Sequence, residues 1–339
     1  MKKSVLVIGG TQFVGRHIVE LGLAQGHDIT LFTRGKTNPE LFPDAKHIVG
    51  DRRTDFALIG DTHWDVVIDT CGYLVSEVAA STGWLQQRCD QYVFISSVSA
   101  YASFANPNDE NSPLAAIEDS DTTVIDGRTY GPLKAHCEAV VNHAFGQRAL
   151  IMRPGLVVGP WDHTDRFTYW VARALRGGTI LAPESPDCAI QFIDVRDLAK
   201  FVWHCIDHRY GGAFNVVATA GRDRLGDLIS KAIEIAKNPA QIAWVSPEFL
   251  EANAVSAWND MPLWLGPKEM KDIGEMSNFM AASNGKAILH GLTCSSLTNT
   301  VDVLMTWFEA QPAARRNTLK SGLSPDREAA LLFELGKSF

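Results

Sequence analysis

The chain has 339 residues, 46% of them hydrophobic and 21% charged, with a formal net charge of −8. No apolar run approaches the roughly 18 residues of a membrane span, and scattered Lys and Arg under a net negative charge argue against a nucleic-acid backbone or an anionic membrane as the main partner. A small-molecule enzyme or sensor of one large or two modest domains is left, with core enough to need no disulfides.

The six cysteines (Cys71, Cys89, Cys137, Cys188, Cys205, Cys294) contain no CxxC pair and are expected to be reduced and mostly buried. The first apolar stretch, Val5–Ile8, ends at once in Gly9-Gly10. That is too short for a signal-peptide core, and the expected location is cytoplasmic.

In chain order, Ser4–Ile8, Asp28–Phe32, His47–Val49, Asp65–Asp69, Gln91–Ser96 and Ala149–Met152 read as short, continuous apolar strands. Runs of this kind belong to parallel strands buried on both faces. Helical spacing over Phe13–Ala24, Ser76–Arg88 and Thr129–Phe145 separates them, which predicts an α/β fold with a doubly wound parallel sheet. A strand-helix unit at Ala189–Asp207 and a strand at Ala213–Val217 extend this half. The expected domains are 1–155 plus about 189–217, a smaller Trp-rich α+β lobe for the substrate over 156–188 and 218–310, and a C-terminal tail over 311–339 packed on the surface.

The first strand runs straight into Gly9-Gly10-Thr11-Gln12-Phe13-Val14-Gly15 and then a helix. Glycines permit a tight turn and close backbone approach, and the helix N-terminus offers free N–H groups to a pyrophosphate, so the turn predicts a Rossmann-type dinucleotide site. An NAD site usually has a carboxylate at the tip of the second strand. Here Thr33-Arg34-Gly35-Lys36 stands there, and Arg34 and Lys36 suit a 2′-phosphate, which favours NADP(H) and leaves NAD(H) open.

Tyr130 and Lys134 sit four apart at the start of a helix and so share a face. A cation there would favour the phenolate and make Tyr130 a general acid or base. The strand Tyr92–Ile95 ends in Ser96-Ser97-Val98-Ser99, which brings hydroxyls to the C-terminal sheet edge where ligands bind, with Ser97 able to hold a reacting oxygen.

Together these residues resemble the extended branch of the short-chain dehydrogenase/reductase superfamily, which includes sugar-nucleotide epimerases and dehydratases. The resemblance covers about residues 3–217 and rests on Gly9, Gly10, Gly15, Asp51, Ser97, Tyr130, Lys134 and Arg153-Pro154-Gly155. It implies that Asp51, with Arg52 beside it, contacts the adenine and that Ser97 and Tyr130 hold the substrate oxygen. It also implies that Lys134 binds the nicotinamide ribose and tunes Tyr130, and that Pro154-Gly155-Leu156 lies against the nicotinamide. Two departures stand out: Gln12 replaces the family's middle glycine, and Asp69-Thr70-Cys71-Gly72-Tyr73 replaces its small-residue pair near the cofactor. Thr70, Cys71 and Gly72 are thus expected at the cofactor and Tyr73 at the substrate pocket.

Dehydratases of the family carry an Asp-Glu pair after the active-site hydroxyl residue, whereas this chain has Val98-Ser99. The expected chemistry is NADP(H)-dependent hydride transfer to or from a small polar or glycosyl substrate. The alternatives are a sugar-nucleotide epimerase with retained NAD(P), or a non-catalytic dinucleotide-sensing or RNA-associated protein. Ser99, Asp162, Arg166 and Arg196 are candidate substrate contacts, with Trp258 and Trp264 as an apolar wall or as core. His204 and His208 lack a third ligand and read as a helix C-terminus, so no metal is expected. The resemblance further suggests a dimer paired through the helices of 76–88 and 129–145.

Overall fold

The computed structural model describes residues 2–119, 121–267 and 276–337. Two compact units emerge: Met1–Val157 with Val195–Ala218 and Ala282–Cys294, and Val158–Asp194 with Thr219–Ala281 and Ser295–Phe339. Among the described residues no helix is long and apolar enough to cross a membrane.

The first unit begins with β1 (Ser4–Ile8), α1 (Phe13–Ala24), β2 (Asp28–Thr33), β3 (Lys46–Val49), β4 (Trp64–Asp69), α2 (Val75–Leu85), β5 (Cys89–Ile95), α3 (Tyr130–Phe145) and β6 (Ala149–Pro154). With the strand Gly212–Val216 these make one seven-stranded sheet in the order Gly212–Val216, β6, β5, β4, β1, β2, β3. Every pairing is parallel. Val5, Leu6, Val7, Val67, Val93 and Phe94 have no exposure, as strands covered on both faces require.

The strand order reverses between β1 and β4, the place where an open α/β sheet leaves a crevice beyond its strand ends. Register pairs Ile8 with both Phe32 and Asp69, which puts Gly9 beside Thr70. One face of the sheet is covered by α2 and α3 over a core that includes Leu6, Phe32, Tyr92, Phe94, Val141 and Phe145. The other carries α1 against the helix Val195–Asp207. Gly22 lets the two approach, since a Cβ there would lie 2.3 Å from Trp203, whose indole donates to the Ile18 carbonyl at 2.9 Å.

Residues 189–194, expected with 195–217 in the first unit, fall in the second, where Ala189–Ile190 pairs with Asp223–Arg224, and the structure departs from the sequence expectation in two longer segments as well. Residues 282–294 join the first unit, tied by hydrogen bonds of Asn284 Nδ2 to the Val217 carbonyl (2.9 Å) and of Lys286 Nζ to the Ala213 carbonyl (2.7 Å). Their single helix, Gly285–Leu289, is too short to carry a readable period.

The second correction is to the C-terminal segment, which is part of the second unit. In the helix Pro325–Lys337, the buried Glu328 accepts from Arg173 Nε at 2.6 and 2.8 Å and from the Leu181 N–H at 3.1 Å. Arg327 also donates to the Asn253 carbonyl and Leu331 is buried, but much of the attachment is polar, which a hydrophobic pattern does not reveal. The same unit holds a parallel pair, Gly178–Pro183 with Ala240–Val245, and the helix Arg166–Arg176, where Trp170 donates to the Pro262 carbonyl.

Candidate active site

At the end of β1, Gly9 and Gly10 have φ of +93° and +97°, which L side chains rarely adopt. A Cβ at Gly15 would lie 2.8 Å from Gly10 Cα, so the helix presses against the turn as dinucleotide binding demands. Gln12, the α1 N-cap, has φ −136°, extended backbone open to any residue, and the missing middle glycine is accommodated without strain there. Helix α1 has no side-chain hydrogen bond from its N-cap Gln12 and no acidic residue in its first turn, so no carboxylate there repels an anion at its positive dipole end. These features fit a pyrophosphate. Asn38 Nδ2 ties the loop after β2 to the Thr11 carbonyl at 2.8 Å, while Phe13 takes φ +35°, and Val14 lies in the first turn of the helix.

Arg34 and Lys36 are exposed beyond β2, and Gly35 N–H bonds back to Thr33 Oγ1 at 3.1 Å. Asp51 follows β3. Its carboxylate accepts from Arg53 at 2.7 Å, and that hydrogen bond, with help from the Arg34 charge, holds it well below the usual carboxylate range. Arg52 turns the other way and is buried. It forms a two-pronged pair with Asp69, at 2.8 and 2.6 Å, so its guanidinium faces the interior and not the edge where an adenine would lie.

Ser97 and Tyr130 are brought together. The Ser97 hydroxyl accepts from the Ser99 N–H at 3.0 Å and lies near enough to the Tyr130 phenol to lower its pKa. Gly131 makes this possible: a Cβ there would sit 2.1 Å from the Ser99 carbonyl oxygen, so only glycine lets α3 begin against the Ser97–Ser99 turn. The sequence reading passed over Gly131, although its place directly after the tyrosine was the available signal. A buried pair of Arg153 with Glu138, at 2.6 Å, fastens β6 to α3.

Lys134 is buried. Its ammonium donates to the Gly72 and Ile95 carbonyls, both at 2.8 Å, and stands 4.7 Å from the Tyr73 ring centroid and 4.8 Å from that of Phe94. Burial disfavours the ammonium and brings its pKa down to about 8. The Tyr130 phenol goes the opposite way from the sequence expectation: burial raises it, the Ser97 hydroxyl opposes, and the net is upward. A lysine charge already engaged by two carbonyls is poorly placed to offset that burial. Tyr73, half-exposed, has its ring 6.4 Å from that of Tyr130 and is pushed up to about 12 by burial and by Tyr130.

Thr70 Oγ1 donates to the Ile8 carbonyl at 3.0 Å, and the Cys71 thiol to the same oxygen at 3.5 Å. Gly155, between Pro154 and Leu156, packs against Val217, where a Cβ would fall 2.7 Å from Cγ1. Arg196 lies in the first turn of the helix Val195–Asp207. At the end of that helix, His208 Nδ1 bonds to the His204 carbonyl at 2.8 Å, with the two rings 4.2 Å apart.

In the second unit, Asp162 is buried and accepts from Thr164 N–H and Oγ1, both at 2.8 Å; burial raises its pKa. The Arg166 guanidinium lies 5.4 Å from the Trp258 ring centroid, with its Nε buried and without a hydrogen-bond partner. Trp258 meets Phe279 edge-on, and the buried Trp264 offers its carbonyl to the Trp258 N–H at 3.0 Å.

Residues 74–217 match the model of the "NAD dependent epimerase/dehydratase family". Among curated proteins, the chain is 28% identical over 219 residues to the chloroplast stem-loop binding protein of 41 kDa b of Arabidopsis thaliana. That alignment covers 58% of this chain and 53% of the relative, so the chain spans about half the length of the curated relative it matches.

Solved structures share the fold. The Bordetella bronchiseptica enzyme WbmH in complex with NAD+ superposes with TM-score 0.66 and 16% identity, over 91% of this chain and 99% of that one. Thermus thermophilus UDP-glucose 4-epimerase in complex with NAD gives 0.65 and 16%, over 91% and 99%. The Bordetella bronchiseptica enzyme WbmF in complex with NAD+ and UDP gives 0.67 and 15%, over 99% and 97%. The chain thus shares its fold with these solved structures, and residues 74–217 resemble the NAD dependent epimerase/dehydratase family.

Proposed function

We propose that this chain, with its extended short-chain dehydrogenase/reductase fold, is a nicotinamide-dependent oxidoreductase. It acts on a hydroxyl/carbonyl carbon of a small polar or glycosyl substrate, with NADP(H) preferred. The observation that carries this reading is the joining of Ser97, Tyr130 and Lys134 on the same sheet edge as an uncapped glycine turn. When bound, the nicotinamide supplies or accepts the hydride. The α1 N-terminus and the Gly9–Gly15 turn hold the pyrophosphate, Arg34 and Lys36 receive the 2′-phosphate, and Lys134 holds the ribose. Ser97 orients the reacting oxygen, and Tyr130 exchanges a proton with it through Oη.

Because burial raises the Tyr130 pKa, the phenol is protonated near neutral pH, which suits it to donate a proton as a carbonyl is reduced. Net oxidoreduction is preferred to epimerisation because Thr33-Arg34 stands at the β2 tip where an enzyme that retains NAD usually has a carboxylate. Tyr73, Ser99, Asp162, Arg166 and Arg196 are proposed substrate contacts, with Arg166 suited to a phosphate or carboxylate. The same reading places the protein in the cytoplasm as a dimer paired through α2 and α3.

Titration of the purified protein with NADPH and with NADH, followed by nicotinamide fluorescence, tests this reading. Quenching or a spectral shift with tighter NADPH binding is expected, and no change with either cofactor at near-millimolar concentration would overturn it.

The likeness to a plant stem-loop binding protein favours a second reading, an RNA-associated protein that keeps the dinucleotide fold. It predicts retardation of a stem-loop RNA with a steep salt dependence, unaffected by Tyr130→Phe.

A further inference from the structure

Asp69 ends β4 at the crevice, and no water reaches it: its relative exposure is 0%. One carboxylate oxygen accepts from Arg52 Nη1 at 2.8 Å and from the Cys71 N–H at 3.2 Å; the other accepts from Arg52 Nη2 at 2.6 Å and from the Tyr92 hydroxyl at 2.9 Å. Burial pushes the carboxyl up, but the Arg52 charge and these hydrogen bonds hold it below its ordinary value, so the pair is ionised. Arg52 also donates to Ser81 Oγ at 2.9 Å, which ties the pair to α2, and its Nε is buried with no hydrogen-bond partner. A buried ion pair with one unsatisfied donor is a poor device for stability, since apolar residues of similar volume commonly serve as well or better. Its value must lie in what it fixes.

What it fixes is the turn Asp69–Gly72. On one side, Thr70 Oγ1 abuts the glycine turn: a Cβ at Gly9 would lie 2.5 Å from it and one at Gly15 2.9 Å. On the other side, the Gly72 carbonyl receives Lys134 Nζ at 2.8 Å. Gly72 itself has no room for a side chain, with Phe94 and Val78 each 2.7 Å from a built Cβ. The turn therefore touches both the pyrophosphate cradle and the lysine proposed to hold the ribose.

We propose that the Arg52–Asp69 pair is a positioning device that sets cofactor affinity without touching the cofactor, by holding the 69–72 turn between the glycine cradle and Lys134. It rests on the nicotinamide reading given above, and it assigns Arg52 inward instead of to the adenine.

Three variants test it: Arg52→Met/Asp69→Leu, which replaces the pair with apolar bulk, and the milder single changes Asp69→Asn and Arg52→Lys. Thermal unfolding and NADPH fluorescence titration are measured on each, the titration across pH. The double variant is expected to keep the melting temperature of the parent while NADPH binding weakens about tenfold or more, the scale of a small misplacement at a preorganised site. Arg52→Lys keeps the charge without the two-pronged geometry and should recover only part of the affinity. Asp69→Asn removes a charge that supports the Lys134 ammonium, so the pH above which binding weakens should fall.

Folded variants that bind NADPH as the parent does, with the parent's pH profile, would overturn the proposal. Should the double variant fail to fold, the two single variants decide by the same criteria. Absence of NADPH binding by the parent itself would instead sink the nicotinamide reading, and this inference with it.

Discussion

The candidate residues of the two units differ in how their buried polar groups are held. In the first, Lys134 bonds to two carbonyls and Asp69 has two donors on each oxygen, while Arg52 Nε beside it has no hydrogen-bond partner. In the second, Arg166 has a buried Nε with no partner above an indole, and burial disfavours its charge. A saturated network holds a geometry before any ligand arrives, whereas an unsatisfied buried donor is a cost that a ligand can relieve. On the proposed reading, Lys134 and its neighbours in the first unit serve the hydride chemistry and Arg166 in the second serves substrate choice.

The sharpest way to break that division is Tyr130→Phe. It removes only a hydroxyl, and loss of a positioned acid should lower turnover by about 10²–10⁴-fold while NADPH binding stays close to the parent's. Steady-state rates beside a fluorescence titration measure both, and undiminished turnover would end the acid/base assignment.

Arg166→Leu probes the other half. An unpaired charged donor that meets an anionic group contributes about 1.5–3 kcal/mol, so KM should rise roughly tenfold or more with cofactor affinity unchanged. The variant should melt no lower than the parent, because a buried charge without a full set of partners is removed. A clear fall in melting temperature with KM unchanged would make Arg166 structural.

The pH response of Lys134 tests the saturated network itself. Its pKa is lowered from 10.5 to about 8, so the ammonium is present below about 8 and lost above it. Cofactor binding should weaken as pH rises through 8. Between 8 and 10.5 the unfolded chain keeps a proton that the folded chain has released, so this group's contribution to stability grows with pH. Binding and stability moving in opposite directions would separate the site's titration from alkaline unfolding.

The smallest expected effect is Arg34→Ser. Loss of an exposed guanidinium should cost NADPH about tenfold in affinity and leave NADH nearly unaltered, as direct titration would show.

The α/β half was legible because its signals are local. Phe13–Ala24 lies between a glycine turn and Gln25-Gly26, and the helix observed has those same bounds. The seven strands announced themselves by apolar, β-branched runs, and only their ends shifted by a residue or two. Features that depend on approach between distant segments were not legible. Nothing in a Tyr-Gly-Pro triplet says that a carbonyl from Ser99 will occupy the space of a Cβ on Gly131. Arg52 next to Asp51 looks like a second surface residue until Asp69 is seen beneath it. The upward shift of Tyr130 likewise required knowing that Lys134 turns to Gly72 and Ile95.

A crystal soaked with NADPH tests the central claim most directly. The account predicts the pyrophosphate over the α1 N-terminus, the 2′-phosphate at Arg34, the ribose on Lys134 and the nicotinamide beside Tyr130. Density for NADPH elsewhere on the protein, with the Gly9–Gly15 turn and Tyr130 untouched, would contradict it.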